Sequence, residues 1–296
     1  MLVSAVIPAY NYGRFVARAI DSVLAQSHRE IECIVVDDGS TDDTATVLAR
    51  YGERIRAIRQ ENRGLSATRN AGIGAARGEV IALLDADDEW KPEKIARQLA
   101  VLTADPDVAV VGCAVELADG EGKHLGDAFF PAPVRGAAGL RAIALRQAWV
   151  CGSASGAVIR RRVLDQVGLF DETLTAAEDW DMWLRIGAGG HPIVNLPDVL
   201  VRVYRHNTGS FRNAAKMEAN QQKVLAAAIR RWPEQIDEGT RRRVRALIAA
   251  DAARELALAG DYKGALTRYL RSLRAYPLER KVWYQTARTV GRLVGV

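Results

Sequence analysis

Three carboxylates stand together in residues 85–88, which read DADD, directly after the apolar stretch 80–84. Like charges at this spacing repel one another unless a cation compensates them. Mg²⁺ and Mn²⁺ favour oxygen ligands and commonly share one or two carboxylates with the phosphates of a substrate. A helix cap is the alternative, because Pro92 begins a helix and acidic groups are favourable just before one. The spacing alone leaves both interpretations open.

A second acidic pair, Asp37 and Asp38, ends the apolar run 31–36 and is followed by Gly39 and Thr41. A carboxylate at this place can accept hydrogen bonds from a nucleotide base or a ribose. A tight turn followed by a helix cap explains the same residues, since glycine suits the turn and threonine the cap. Taken alone, the pair favours this structural interpretation.

The segment 62–70 contains Arg69 and lies where the chain enters a predicted helix. Helix N-termini and arginines both suit phosphate groups, so the segment is a candidate for contact with a phosphorylated ligand. The alternative is a solvated helix start.

A third acidic group consists of Glu178, Asp179 and Asp181, which alternate with two tryptophans. A carboxylate in such an apolar setting has a raised pKa and suits the role of general base. The alternative is an amphipathic helix whose N-terminus carries the acidic residues. The residues themselves do not decide between the two.

His206 follows Tyr204 and Arg205 in a stretch rich in Asn, Thr, Gly and Ser. A single histidine in such a loop is ordinarily a surface residue, and a role in metal binding requires partners from elsewhere in the fold.

Strand and helix patterns alternate through the first hundred residues. The predicted strands are 3–7, 31–36, 55–58, 80–84 and 108–111, and the predicted helices are 13–26, 42–51, 66–76 and one beginning at Pro92. Continuous apolar strands in this order predict an α/β fold with a mostly parallel sheet covered on both faces. Ligands in such sheets bind outside the carboxyl ends of the strands. The first, second and fourth strands end in polar residues, which predicts an acidic cleft at one edge. Beyond residue 114 the alternation weakens, and a loop is expected within 115–135.

The C-terminal region differs in both pattern and charge. Helices are predicted at 216–231, 241–258, 262–275 and 279–294. Residues 211–296 carry 18 Lys and Arg against 8 Asp and Glu, whereas residues 1–210 carry 23 against 28. We therefore divide the chain at 210 into an α/β domain and a basic helical region. A solvated basic face is one explanation of the charge, and contact with an anionic surface is the other.

The last predicted helix favours an anionic membrane as that surface, with a protein partner as the alternative. It sets apolar side chains against basic ones: Val282, Trp283, Ala287, Val290 and Val294 against Arg280, Lys281, Arg288 and Arg292. This is the pattern of a helix that lies in a membrane interface.

The chain as a whole has the composition of an ordinary globular protein. It has 296 residues, of which 49% are hydrophobic and 26% charged. The three cysteines lie far apart without metal-ligand spacing, so we expect free thiols in a reducing compartment. No signal-peptide pattern or run of about 20 apolar residues is present, which predicts a cytoplasmic protein.

Together these motifs, in this order, resemble the family-2 glycosyltransferases of the GT-A fold. The matching stretches are VSAVIPAYN (3–11), IVVDDGSTD (34–42), NRGLSATRNAG (62–72), LLDADD (83–88), GLFDETLTAAEDWDMWLR (168–185) and YRH (204–206). The resemblance covers residues 1–210. It implies a GT-A sheet flanked by helices, with the C-terminal helices as an appendage.

The resemblance also implies roles at the donor end of the site. Pro8 and Tyr10, in the turn after the first strand, match the part that holds the nucleotide base, together with Asp37 and Asp38. Arg69 matches an arginine of the donor site.

At the reacting end, Asp85 and Asp87 match the acidic motif of the family, Asp85 on the donor ribose and Asp87 on the metal that bridges the diphosphate. His206 matches a position that helps to bind metal in some GT-A enzymes. Asp179 matches the catalytic base.

The family resemblance therefore implies an inverting transferase that uses Mn²⁺ or Mg²⁺ and a nucleotide-diphosphate sugar, with a UDP-sugar expected. The acceptor would be a glycan or a lipid-linked hydroxyl, and no nucleic acid is expected as a partner. The chain lacks the Gln-x-x-Arg-Trp signature of processive synthases, so we expect one sugar per encounter. A sugar nucleotidyltransferase would need a Gly- and Arg-rich loop after the first strand, which is absent. A binding module without turnover is the rival from another class.

Overall fold

The computed structural model describes residues 1–128, 136–145, 153–205 and 213–294. The strands are β1 Val3–Ala9, β2 Ile31–Asp37, β3 Arg56–Arg59, β4 Val80–Leu83, β5 Glu89–Trp90, β6 Val110–Asp119, β7 His124–Ala128, β8 Val158–Arg160 and β9 Ile193–Arg205. The helices are α1 Val16–Leu24, α2 Thr44–Ala49, α3 Leu65–Ala75, α4 Lys94–Ala104, α5 Gly136–Ala144, α6 Arg161–Val167, α7 Glu178–Ala188, α8 Ala214–Arg231, α9 Glu238–Leu258, α10 Tyr262–Ala275 and α11 Arg280–Val294. Two short 3₁₀ helices span Gly52–Arg54 and Ala154–Gly156.

The strands of the described residues form one sheet in the order β3-β2-β1-β4-β8-β6-β9-β5, and β7 pairs with β6. Strand β1 is parallel to β2 and β4, β2 is parallel to β3, and β6 is parallel to β9. Strands β5, β7 and β8 pair antiparallel to their neighbours. The predicted α/β sheet flanked by helices is confirmed, whereas the antiparallel strands were not predicted.

The central strands are buried on both faces, which explains why their sequences are continuously apolar. Val6 and Ile34 face a cluster built with α5, α6, α7 and α8, and Ile7 and Val35 face a second cluster built with α1, α2 and α4. All four side chains are fully buried. The two layers of helices hold the sheet rigid and leave its carboxyl edge open for a site.

The segment 115–135, in which a loop was expected, begins with strands. Strand β6 continues to Asp119 and forms a hairpin with β7, while residues 129–135 lie outside the described part of the chain. Val115 and Ala118 are buried, and Glu116 and Leu117 between them are half-buried. Pairing with β9 along its whole length stabilises this polar stretch as a strand.

The predicted C-terminal helices are present as α8 to α11. Side-chain caps begin three of them: Asn213 accepts from the backbone N–H of Lys216, Asp237 from Thr240 and Asp261 from Gly264. The basic region does not pack as one body. Side chains of α8 and α9 enter the main core, whereas Tyr269 of α10 and Val282 of α11 form a separate small core with Ala253. Within the described residues, no helix is both long and apolar enough to span a bilayer.

Candidate active site

The carboxyl ends of β2, β1 and β4 lie side by side at one edge of the sheet. Ala9 pairs with Asp37 across β1 and β2, and Val6 pairs with Leu83 across β1 and β4, so Asp85 follows directly at the same edge. The prediction that these polar ends meet at one edge of the sheet is confirmed. Parallel pairing alone accounts for it, since parallel strands end at the same edge.

The Asp37-Asp38 pair lies at this edge of the sheet and is almost fully buried. Asp38 accepts hydrogen bonds from the Gln60 side chain (2.7 Å) and from the backbone N–H groups of Arg63 (2.9 Å) and Gly64 (2.9 Å). Asp37 accepts from the N–H of Ser40 at 2.8 Å. Both carboxylates therefore organise the loops that follow β2 and β3, and their contact with a nucleotide base stays a prediction.

The turn after β1 presents an aromatic side chain to solvent. Pro8 is buried within β1, whereas Tyr10 is 45% exposed. Asn11 has φ +58° and is held there by hydrogen bonds to Ser40 and Thr41. A left-handed non-glycine residue costs free energy that surrounding contacts must repay, and such residues cluster at functional sites. The turn is thus fixed, with its tyrosine ring available to a planar ligand.

The acidic turn, residues 85–88, is held by a buried serine. Ser155 accepts from the N–H of Asp85 at 3.0 Å and donates to a carboxylate oxygen of Asp88 at 2.5 Å. The other oxygen of Asp88 accepts from the N–H of Tyr204 at 3.2 Å. Burial, followed by the charges of Asp87 and Asp85, raises the pKa of Asp88 well above its usual range. Asp88 therefore ties the turn to the end of β9, and it does not face the cleft as a free ligand.

Asp87 of the acidic turn lies beside Tyr12 and Arg18. Its carboxylate accepts from the Tyr12 hydroxyl, and the Arg18 guanidinium lies near and donates to its backbone oxygen at 2.8 Å. Burial, and after it the charge of Asp85, raises the pKa of Asp87 to about 6. The guanidinium of Arg18 also stacks on the Tyr204 ring, 3.5 Å from its centroid, which fixes its position.

Arg69 connects the acidic turn with the start of α7. One guanidinium nitrogen donates to Asp85 at 2.7 Å and another donates to Glu178 at 2.6 Å. The side chain is 2% exposed and lies beside the Phe170 ring. Charge-assisted hydrogen bonds of this length in a buried setting are among the strong ones. Two segments 93 residues apart in sequence are thereby fixed against each other.

The three carboxylates at the start of α7 have separate environments. Glu178 is bound to Arg69, and Asp181 is bound to Arg185 at 2.8 Å. Asp179 accepts from the N–H of Trp180 at 2.7 Å and, in the described part of the chain, forms no ion pair. Burial, and after it the charge of Glu178, raises the pKa of Asp179 to about 6. Asp179 is thus the carboxylate of these three that no arginine binds among the described residues.

Comparison with known families identifies this arrangement. A family model described as Glycosyl transferase family 2 matches residues 4–168, more than half of the chain. The chain belongs to this family. The match includes the acidic turn and Arg69 and ends before α7, so the assignments at Glu178 and Asp179 rest on geometry and resemblance.

Relatives of this family-2 chain include transferases with longer chains. An uncharacterized glycosyltransferase of Nostoc sp. is 39% identical over 189 residues, which span 62% of this chain and 56% of that protein. The putative teichuronic acid biosynthesis glycosyltransferase TuaG of Bacillus subtilis is 42% identical over 102 residues, 33% of this chain and 40% of that protein. Chondroitin synthase of Escherichia coli is 28% identical over 235 residues, 78% of this chain and 33% of that protein. The chain spans little more than half the length of the first of these.

Solved structures show the same fold. TarS of S. aureus in complex with UDP-GlcNAc has a TM-score of 0.61 at 19% identity, covering 96% of this chain and 92% of that one. The mannosyltransferase PcManGT of Pyrobaculum calidifontis, in complex with GDP-Man and Mn²⁺, has a TM-score of 0.62 at 22% identity, covering 97% and 84%. These likenesses confirm the GT-A type of fold for the glycosyltransferase.

The acidic turn fits a divalent cation by the chemistry of its donors. Asp85 keeps one oxygen beyond the one bound to Arg69, and Asp87 lies beside it with a raised pKa, which a cation would offset. No three potential ligands converge among the described residues. A cation here would therefore complete its coordination with substrate phosphates or water, as Mg²⁺ commonly does. The predicted ligand His206 lies outside the described residues.

Several residues that build the site of this family-2 glycosyltransferase were not found from sequence. Arg18 and Ser155 reach the acidic turn from 69 and 70 residues away, and no local pattern marks them. Glu178 was singled out in the sequence, but its contact with Arg69, 109 residues away, was not predicted. Tyr12 had a weak signal, since it stands two residues after Tyr10 in the same turn.

Proposed function

We propose that this chain is an inverting, metal-dependent, non-processive glycosyltransferase. It moves a sugar from a nucleotide-diphosphate donor to a hydroxyl of a glycan or lipid-linked acceptor. The observation that carries the proposal is the buried Arg69, which joins Asp85 of the acidic turn to Glu178, the neighbour of Asp179. The proposed donor-binding carboxylate and the proposed base would thereby be held in a fixed relation.

The donor would lie along the carboxyl edge of the sheet. Tyr10 and the Asp37-Asp38 loops would hold the nucleotide base, and Arg69 and Asp85 would hold the ribose and diphosphate region. A divalent cation on Asp87, with Asp85 and His206 as further ligands, would stabilise the charge of the departing diphosphate. Arg18 adds a fixed positive charge beside this group. Together these residues orient the donor and favour negative charge where it develops.

Asp179 would remove the proton from the acceptor hydroxyl. Its pKa of about 6 keeps it mostly ionised at neutral pH while leaving it a stronger base than an ordinary aspartate. A single displacement on the face opposite the leaving diphosphate inverts the anomeric centre. Glu178 and Asp181 are bound to arginines and are therefore poor proton acceptors.

The donor is proposed to be a UDP-sugar, and the pathway to be cell-surface polysaccharide synthesis in the cytoplasm. TarS has been solved with UDP and with UDP-GlcNAc, and relatives include a teichuronic acid biosynthesis glycosyltransferase and a chondroitin synthase. PcManGT has been solved with GDP-Man, so guanosine donors belong in any screen. A lipid-linked acceptor would place the enzyme at the inner face of a membrane.

The test is a donor screen on the purified full chain. UDP- and GDP-sugars are incubated with Mn²⁺, Mg²⁺ or EDTA, release of nucleoside diphosphate is measured, and the anomeric configuration of product is read by NMR. We expect metal-dependent release from one donor class and an inverted product. Retention of configuration would exclude the single displacement. Tight donor binding without any release or transfer would favour the binding module.

A further inference from the structure

Helix α11 has an inner face that is buried against other helices of the protein. Val282, Thr286 and Thr289 lie at i, i+4 and i+7 and are 4%, 8% and 4% exposed. They pack toward α10 and α9, where Val282 joins the small core around Tyr269. The sequence pattern had grouped Val282 with the outward apolar side chains, and the structure corrects this. This buried face is therefore the one through which α11 packs against the rest of the protein.

A second apolar stripe on α11 faces outward. Trp283, Ala287 and Val290 also lie at i, i+4 and i+7, and all three are exposed, Trp283 by 55%. The indole N–H of Trp283 donates to the carbonyl of Pro277 at 2.8 Å, so the ring is held in place while its surface stays open. Leu278, just before the helix, is 75% exposed. An ordered, contiguous apolar stripe of this kind marks an interaction surface.

The basic side chains of α11 are exposed and lack internal counter-ions. Within the described residues, no carboxylate forms an ion pair with any of the four cations of α11, which are Arg280, Lys281, Arg288 and Arg292. Neighbouring arginines behave differently, since Arg243 is paired with Glu279, and Arg268 and Arg271 with Glu218. The unpaired charges on α11 are therefore complementary to an anion outside the molecule.

We propose that α11 lies on the surface of an anionic bilayer, with the stripe of Trp283, Ala287 and Val290 at the acyl boundary. Arg280, Lys281, Arg288 and Arg292 would then meet the lipid headgroups. The charge pattern favours a lipid surface over a protein partner, because a continuous anionic surface complements all four cations at once. This inference deepens the proposed function. It rests on that function only in one respect, namely that bilayer binding would bring the enzyme to a lipid-linked acceptor.

The experiment is vesicle co-sedimentation of the full chain with phosphatidylcholine alone and with phosphatidylcholine plus phosphatidylglycerol. We expect sedimentation with the anionic vesicles, weakening as salt rises. The double variant K281E/R288E should bind the anionic vesicles at least about tenfold more weakly. The matched control R50E/K123E makes the same charge change at exposed positions of the α/β domain and should bind nearly as wild type.

Equal sedimentation with both lipids, or equal loss in the two double variants, would overturn the proposal. A dimer in light scattering that W283A converts to monomer would do the same, since a second copy would then cover the stripe. Donor hydrolysis without vesicles separates this inference from the proposed function. It should be unchanged in K281E/R288E, and its absence from wild type would count against the transferase while leaving vesicle binding intact.

Discussion

The acidic turn at 85–88 and the start of α7 each place three carboxylates within four residues, yet they treat that charge differently. In α7, two of the three are neutralised by buried arginines, Glu178 by Arg69 and Asp181 by Arg185. In the turn, Asp85 shares the same Arg69, and Asp88 has only neutral donors. Among the described residues, one of the three carboxylates in the turn therefore has an ion pair, against two of the three in α7.

This difference separates two kinds of site that look alike in sequence. A group of carboxylates with fewer internal ion pairs favours a cation from outside more strongly than a group with more of them. In both, one carboxylate is left with a pKa of about 6, Asp87 in the turn and Asp179 in α7. The first suits a metal ligand and the second a general base, because a metal-bound carboxylate is a poor proton acceptor.

The largest expected effect comes from removing the proposed base. Asp179→Asn keeps the size and most hydrogen bonds of the side chain and cannot take the proton, so turnover should fall roughly 10²–10⁴-fold. Donor affinity should change little, because the base acts on the acceptor. Steady-state kinetics and calorimetry measure the two quantities. If Asp179→Asn kept more than about a tenth of wild-type turnover while Glu178→Gln or Asp181→Asn lost turnover, Asp179 would not be the base.

Arg69 is the link between the two segments, and its removal should damage both. Arg69→Met leaves Asp85 and Glu178 without their buried partner, which we expect to cost about 3–5 kcal/mol in the free energy of unfolding. Arg185→Met should cost a similar amount through Asp181 and yet leave donor affinity near wild type in the folded fraction. Urea unfolding and donor titration report on the two. Adding Glu178→Gln to Arg69→Met should recover part of the stability, and strict additivity would contradict the bridge.

Ser155 supports the acidic turn alone. Ser155→Ala leaves the N–H of Asp85 and one oxygen of Asp88 without a partner, an expected cost of about 1–3 kcal/mol in stability, with weaker donor binding. Ser272→Ala is the matched control, since Ser272 is equally buried and donates to the carbonyl of Ala246 at 2.7 Å in the C-terminal helices. It should lose stability only. Unchanged donor affinity in Ser155→Ala would mean that the turn holds its shape without the serine.

Metal dependence should be confined to the turn. Asp87→Ala should weaken Mn²⁺-dependent donor binding at least tenfold, about 1.4 kcal/mol, whereas Asp179→Asn should leave the Mn²⁺ dependence as it is. Calorimetry with Mn²⁺ and with EDTA makes the measurement. If the wild type bound donor equally well with Mn²⁺ and with EDTA, the acidic turn would not be a metal site, and the distinction from α7 would fail.

The smallest effect is on the pH profile. Since the base acts only when ionised, kcat should fall as pH drops below the Asp179 pKa of about 6. The charge of Glu178 contributes to that raised pKa, so Glu178→Gln should lower it and move the acid limb toward lower pH. Glu234→Gln, at an exposed position near the end of α8, should leave the limb in place. A limb that moved upward in Glu178→Gln would contradict the sign of this interaction.

The sequence by itself determined the parallel part of the sheet and the polar edge at which β1, β2 and β4 end. Continuous apolar strands in a β-α-β order require a parallel sheet, and parallel strands bring Asp37 and Asp85 to one edge whatever the details of packing. Only the tertiary structure decided which carboxylates have hydrogen-bond or ion-pair partners inside the protein. Arg69 and Ser155 reach Glu178 and Asp85 through folding from distant parts of the chain, whereas Arg185 lies one helical turn after Asp181. The tertiary structure also decided the outer face of α11, because the sequence pattern grouped Val282 with Trp283, and packing buries the first and leaves the second exposed.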